Sequence, residues 1–243
     1  MKTAAFIPAR LQSERFPGKL LQDLGGKPVV LRTYENAVKT GLFDHVRVIT
    51  DSKKIAGIIE KAGGKAFISR KAHPTGTDRI AEFAGETDAE IIVNIQADEP
   101  FLDKKSLSAL IEVFQNDAQH QIDMASLMFP ITGEDAFHNP HHVKVVTDNE
   151  GFALYFSRAP IPFPRNGHFQ GAWKHVGIYA FRKEVLMQIA RLPQSDLERV
   201  EMLENLRFLQ AGFKIKMVKT GSVSVGIDTP ADLEKARKLL TDE

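Results

Sequence analysis

The 243-residue chain contains no cysteine, which excludes disulfides, thiolate metal sites and a cysteine nucleophile and fits a reducing compartment. It has no surplus of either charge. The 32 Lys and Arg stand against 31 Asp and Glu, a formal +1, so neither nucleic acid nor a membrane surface is expected as a partner, and any anionic ligand must be held by local charge. No apolar run approaches the roughly 18 residues of a membrane span. The apolar stretch at residues 4–9 contains Pro8 and ends at Arg10, short of the about 7–15 residues of a secretory signal core. A soluble, cytoplasmic protein is expected. Several familiar motifs are also missing. Lys19 follows Gly18, but Leu20 comes next and Ser13 stands where a P-loop needs glycine. There is no G-x-G-x-x-G, which argues against a nicotinamide enzyme, and no G-x-S-x-G hydrolase elbow. Trp173 and the scattered phenylalanines form no stacking platform for nucleic acid.

What is present is an ordinary globular composition, 43% apolar and 26% charged. The length allows one large or two small domains at about 150 residues each. Short apolar runs alternate with helical periodicity. Residues 3–9, 46–49, 66–68 and 91–94 have buried-strand character. Val30, Tyr34, Ala37 and Val38 recur on one helical face, as do Leu107, Leu110, Ile111 and Phe114. Asp51 or Ser52 can cap a helix that stops at Gly63-Gly64. The alternation predicts an α/β fold with an open, mostly parallel twisted sheet and helices on both faces. The middle differs. Residues 143–146 and 152–156 flank the turn Asp148-Asn149-Glu150-Gly151 and read as an antiparallel hairpin. Residues 158–172 carry Pro160, Pro162 and Pro164 and form an extended loop before a strand at 175–181. The expectation is a single domain, 1–243, with residues 140–182 as an inserted hairpin and loop region. Ser195 and Glu198 form a capping box for a helix running through Val200, Leu203 and Leu206. Residues 214–219 read as a strand, and Thr229-Pro230 opens the last helix.

Four motifs carry chemistry. IPARLQSERFPGK (residues 7–19) puts Arg10, Arg15 and Lys19 in the loop after the first strand, where open α/β sheets bind ligands and where cations and backbone N–H groups suit a polyphosphate. The Pro17-Gly18 turn fixes where Lys19 points. NIQADEP (residues 94–100) runs a buried strand into Gln96, Asp98 and Glu99. Asp98 there is either a helix cap or a Mg²⁺ ligand. VGIDTPADL (residues 225–233) places Asp228 just before a helix whose cap Thr229 already provides, so Asp228 is available to a metal. HPTGTDR (residues 73–79) offers small residues for close backbone approach to a ligand, with Arg79 adding charge, or a plain turn before a helix. His138, His141 and His142 read as solvated loop residues rather than a metal site.

Together with VKVVTDNEGFALYFSR (residues 143–158), KHVGIYAFR (174–182) and VEMLENLR (200–207), these motifs resemble, in order and nearly end to end, the 3-deoxy-manno-octulosonate cytidylyltransferases, or CMP-Kdo synthetases. The resemblance implies transfer of CMP from CTP to the sugar acid Kdo with release of pyrophosphate, Mg²⁺ as cofactor, a cytoplasmic homodimer with residues 140–182 as its dimerisation and sugar-site subregion, and a product used for lipopolysaccharide. It implies Arg10, Lys19, Asp98 and Asp228 as catalytic residues, Asp98 and Asp228 being the metal ligands. Ala9, Arg10, Lys19, Thr75, Gly76, Arg79 and Gln96 would hold the nucleotide. Arg15, Gln96, Arg158, His175, Tyr179, Glu204 and Asn205 would hold the sugar. Two positions depart from the family pattern: Ala97 stands where glycine is usual, and Asn205 where glutamine is usual. Two other readings share these residues. One is the same transfer to amino-Kdo or a sialic acid. The other is a non-catalytic nucleotide-binding module, which the presence of both aspartates disfavours.

Overall fold

The structure is a computed structural model that describes residues 1–13, 16–221 and 226–241. Its strands are β1 (Thr3–Ala9), β2 (His45–Thr50), β3 (Lys65–Ile68), β4 (Ile91–Asn94), β5 (Met124–Ile131), β6 (Lys144–Thr147), β7 (Ala153–Ser157), β8 (Ala172–Arg182) and β9 (Ile215–Lys219). Its helices are α1 (Val29–Lys39), α2 (Lys53–Lys61), α3 (Gly76–Ala81), α4 (Lys104–Gln115), α5 (Glu134–His138), α6 (Lys183–Ile189), α7 (Asp196–Glu201), α8 (Asn205–Gln210) and α9 (Pro230–Thr241). The chain forms two compact units, one of residues 1–107 with 224–243, the other of residues 108–223.

In the first unit β3, β2, β1 and β4 pair side by side, all parallel. Every residue of β1 and β4 is buried, which is why these strands read as continuous apolar runs rather than alternating ones. On α1 the buried positions are Val29, Val30, Thr33 and Ala37. Val38, expected on that face, is 49% exposed, and Thr33 takes the inward place instead. The Thr33 hydroxyl donates to the Ala97 carbonyl at 2.9 Å, and the Asn36 amide donates to the Pro100 carbonyl. Two polar side chains of α1 thus hold the segment beyond β4 in place. Ser52, not Asp51, caps α2 by accepting from the Ile55 N–H.

In the second unit β8 is central. It pairs antiparallel with β5 and with β6, β6 pairs antiparallel with β7, and β9 runs parallel to β5. The hairpin expected from the Asp148–Gly151 turn is therefore present, and β8 is longer than its expected 175–181 core. Strand β5 and helices α5 and α6 have no counterpart in the sequence reading. Strand β5 is almost wholly buried, so it lacks alternation, and Pro130 near its end reads as a breaker. The helix opened by Ser195 needs correction. The capping box forms, but α7 ends at Glu201 because Met202 adopts the left-handed conformation (φ 55°, ψ 45°), and α8 starts afresh at Asn205. Val200, expected on its apolar face, is 82% exposed.

The Thr33 contact gives the first prediction. Thr33→Val keeps the shape but strands the buried Ala97 carbonyl, which costs about 1–3 kcal/mol of unfolding free energy. Urea unfolding should show this loss, and an unchanged midpoint would remove the proposed tether.

Candidate functional site

The first unit builds its site at the ends of β1 and β4. Gly18 stands in the left-handed region (φ 69°), which glycine adopts without strain, and opens a short 3-10 turn, Lys19–Leu21, anchored by buried Leu20. The turn aims Lys19 inward. Its ammonium donates to Asp98 Oδ2 and, at 2.9 Å, to Asp228 Oδ1. The side chains of Lys19 and Asp98 are only 13% and 23% exposed. Burial alone would lower the Lys19 pKa, but the charges and hydrogen bonds of Asp98 and then Asp228 outweigh it and hold the ammonium above its ordinary value.

The backbone makes this meeting possible. The Ile227 N–H donates to the Asp98 carbonyl at 2.9 Å, so the two carboxylate-bearing segments are joined one residue from Asp228. Asp103 caps α4, accepting from the Ser106 N–H at 3.1 Å, and Thr229 caps α9 by exchanging hydrogen bonds with Asp232. Both Asp98 and Asp228 turn their side chains to Lys19.

Beside the triad lies a cleft of about 1580 Å³ lined by Arg10, Lys19, Gly76, Arg79, Gln96 and Asp98, among others. Arg10 is exposed on its wall, while Ala9 is buried inside β1. Arg79 is not the open cation that the motif implied. It is 2% exposed, and its guanidinium donates to Asp51 Oδ2 at 3.0 Å and towards Ser69. The other Asp51 oxygen accepts from the Leu11 N–H at 3.2 Å, so Asp51 ties the loop after β1 to α3. Sequence reasoning missed this role because Asp51 next to Ser52 reads as a cap. Thr75 caps α3. Gly76 allows a close approach, but to Pro8 of β1: a Cβ there would lie 3.1 Å from the proline ring. Arg15 and Val225 lie outside the described residues.

The second unit gathers the remaining polar residues. The Ser126 hydroxyl donates to the Ile178 carbonyl at 2.8 Å, which leaves it to accept from His175 Nε2 at 2.9 Å. The His175 ring packs on Phe156 and Tyr179, with centroids 5.1 Å and 5.2 Å away. Burial, with a small push from Lys174, brings its pKa down to about 3. Tyr179 bonds to Asn205, and burial followed by the Glu204 charge raises its phenol well above the ordinary value. Glu204 accepts from Arg207 at 3.0 Å. Buried Asn205 keeps an amide oxygen without a partner among the described residues. Arg158 adjoins this group through backbone carbonyls, donating to those of Glu201 (2.8 Å), Pro140 (3.1 Å) and Met202 (3.4 Å). Glu201 itself accepts from the Ser157 hydroxyl and the Arg158 N–H, another role the sequence hid.

A parallel α/β unit with a lysine clasped by two aspartates at its strand ends, beside a cleft with further cations, defines a nucleotide-handling protein of the nucleotidyltransferase type. Residues 4–215 match the family model described as cytidylyltransferase. A 3-deoxy-manno-octulosonate cytidylyltransferase of Christiangramia forsetii is 53% identical over 241 residues, 99% of this chain and 97% of the relative. One of Flavobacterium johnsoniae is 53% identical over the full length of both. A solved structure of CMP:2-keto-3-deoxy-manno-octonic acid synthetase complexed with CTP superposes with a TM-score of 0.94 at 39% identity, covering 100% of this chain and 99% of that one. The chain belongs to the cytidylyltransferases, an enzyme family, and within them to the 3-deoxy-manno-octulosonate (CMP-Kdo synthetase) branch. The fold class expected from strand–helix alternation stands with it.

His175 gives a pH prediction. Its folded pKa is near 3 against an ordinary 6.5, so below pH 6.5 the unfolded chain binds the proton and the folded one does not. Stability is therefore complete above pH 6.5 and falls on acidification towards pH 3, by up to about 1.4 kcal/mol per pH unit from this group. In urea melts at pH 7, 6 and 5, His175→Gln should flatten the fall by about that slope. Parallel curves for variant and wild type would contradict the assignment.

Proposed function

We propose that the protein transfers CMP from CTP to Kdo, giving CMP-Kdo for lipopolysaccharide and pyrophosphate, in the cytoplasm. The observation that carries this reading is the Lys19–Asp98–Asp228 triad, drawn from three distant segments to the rim of one cleft. The sugar's anomeric hydroxyl oxygen forms the new bond to the α-phosphorus, the bond from that phosphorus to the β-phosphate oxygen breaks, pyrophosphate leaves, and the hydroxyl proton passes to water. Such transfers depend on positioning and charge neutralisation rather than covalent catalysis. Arg10 and Lys19 neutralise the triphosphate. Gln96 and the segment from Thr75 to Arg79 bound the nucleotide. Arg158, His175, Tyr179, Glu204 and Asn205 recognise the sugar acid, the guanidinium through its carboxylate and the others through hydroxyls.

Cytidylyltransferases generally use a divalent metal, and we assign Mg²⁺ to this one. The residues fit. Asp98 and Asp228 already share one cation, the Lys19 ammonium, and two carboxylates completed by phosphate oxygens and water are the donor set Mg²⁺ prefers. When bound, the ion supplies charge neutralisation at the α-phosphate. Asp98 and Asp228 would hold it, and Lys19 would lie beside it to pair with the phosphates. A homodimer is supported by the large apolar side chains that the second unit leaves open: Leu154 is 61% exposed, Phe163 79%, Val200 82% and Met202 74%.

Coupled pyrophosphate detection tests the reading. Release is expected with CTP, Kdo and Mg²⁺ together, with little turnover of the other three nucleoside triphosphates. Equal turnover with ATP, full activity in EDTA, or preference for amino-Kdo or a sialic acid would each overturn the corresponding part. Asp98→Asn and Asp228→Asn should each lower turnover by about 100-fold or more, as expected for a lost electrostatic contact in the transition state, without loss of the folded state. Wild-type turnover in either would remove that residue from the metal site.

A further inference from the structure

The wall of the cleft contributed by residues 69–73 is held by a carboxylate that does not line the cleft. Ser69, Arg70, Lys71, Ala72 and His73 line it, and they belong to the connection between β3 and α3. Glu82 follows α3 directly, among buried Ile80, Phe83 and Ala84. One of its oxygens accepts from the Arg70 backbone N–H at 2.9 Å. The other meets His73 Nε2 at 2.6 Å. The His73 and Glu82 side chains are only 4% and 9% exposed, so this contact is shielded from water. Arg70 is held on the same side, its guanidinium bonded to Glu86 and 5.3 Å above the Phe83 ring. The far end of the connection is fixed where Thr75 caps α3.

We propose that Glu82 is a positioning residue for nucleotide binding: through Arg70 and His73 it sets the shape of the cleft wall before the nucleotide arrives. The inference rests on the reading of this cleft as the CTP site. Without Glu82 the wall loses two anchors three residues apart, and the incoming nucleotide must order it. That ordering weakens nucleotide affinity and leaves the chemical step of the loaded enzyme alone. A merely structural Glu82 would instead lower the unfolding midpoint and affect both substrates alike.

Calorimetric titration of CTP, with steady-state kinetics for each substrate, tests this on Glu82→Ala, Glu82→Gln, His73→Phe and the double variant Glu82→Ala/His73→Phe. Glu82→Ala should raise the CTP Kd by about 10-fold, the scale expected when a pre-ordered wall becomes loose, with kcat and the KM for the sugar acid within about 2-fold of wild type. Glu82→Gln keeps an acceptor for Arg70 and offers an amide N–H that His73 Nε2 accepts in its Nδ1–H tautomer, and should restore CTP binding to within about 3-fold. His73→Phe should raise the CTP Kd less than Glu82→Ala does, and the double variant should be no worse than Glu82→Ala, because both substitutions break one connection. An unchanged CTP Kd in Glu82→Ala overturns the inference. So does an equal rise in both KM values, or full multiplication of effects in the double variant. Should Glu82→Ala fail to fold, an unchanged CTP Kd in His73→Phe overturns it as well. Wild-type protein that does not bind CTP overturns the reading of the cleft and this inference with it, whereas wild-type binding with an unaffected variant overturns this inference alone.

Discussion

One ion cluster organises the first unit's site. Lys19, Asp98 and Asp228 are separated by 79 and 209 positions along the chain, yet one ammonium bonds to both carboxylates. Two carboxylates held this close repel each other strongly in a half-buried setting, so a cation between them is a condition of the geometry. The surrounding structure meets that condition from behind. Thr33 and Asn36 of α1 hold the chain beyond β4, and the Ile227–Asp98 backbone bond registers the segment before α9 against it. The same constraint supports the proposed divalent ion, because the site is already built for positive charge.

Much of this was legible in the sequence, for a physical reason. A residue type already engaged by a local role leaves its neighbour available. Thr229 before Pro230 accounted for the α9 cap, so Asp228 needed another partner, and it has one. Asp98 could have been a cap, and only the structure shows Asp103 in that place. The parallel strands were legible because burial on both faces makes β1 and β4 uniformly apolar. Less legible were features whose cause lies far away in the chain. Arg79 looked like a ligand cation because the sequence does not show Asp51 beside it. The break between α7 and α8 was hidden because a capping box marks where a helix starts, and Met202 in a left-handed conformation carries no residue signal of its own. Val38 and Val200 fit helical periodicity by type and are nevertheless exposed.

The second unit solves a different problem, which bears on the chemistry. Its polar group is largely buried, and burial drives His175 and Tyr179 towards their neutral forms. His175 is brought down to about 3 by its surroundings, and Tyr179 is held protonated. At neutral pH these side chains are therefore fixed donors and acceptors, with Ser126 and Asn205 setting their directions. Such a set suits recognition of sugar hydroxyls, where the position of each hydrogen bond decides what is accepted. It does not suit general base catalysis, because an imidazole with so low a pKa is a weak proton acceptor and a neutral phenol is weaker still. The attacking hydroxyl's proton thus has no strong acceptor in this group. In the proposed transfer, alignment of the hydroxyl with the α-phosphorus and the charge placed around the triphosphate supply the rate.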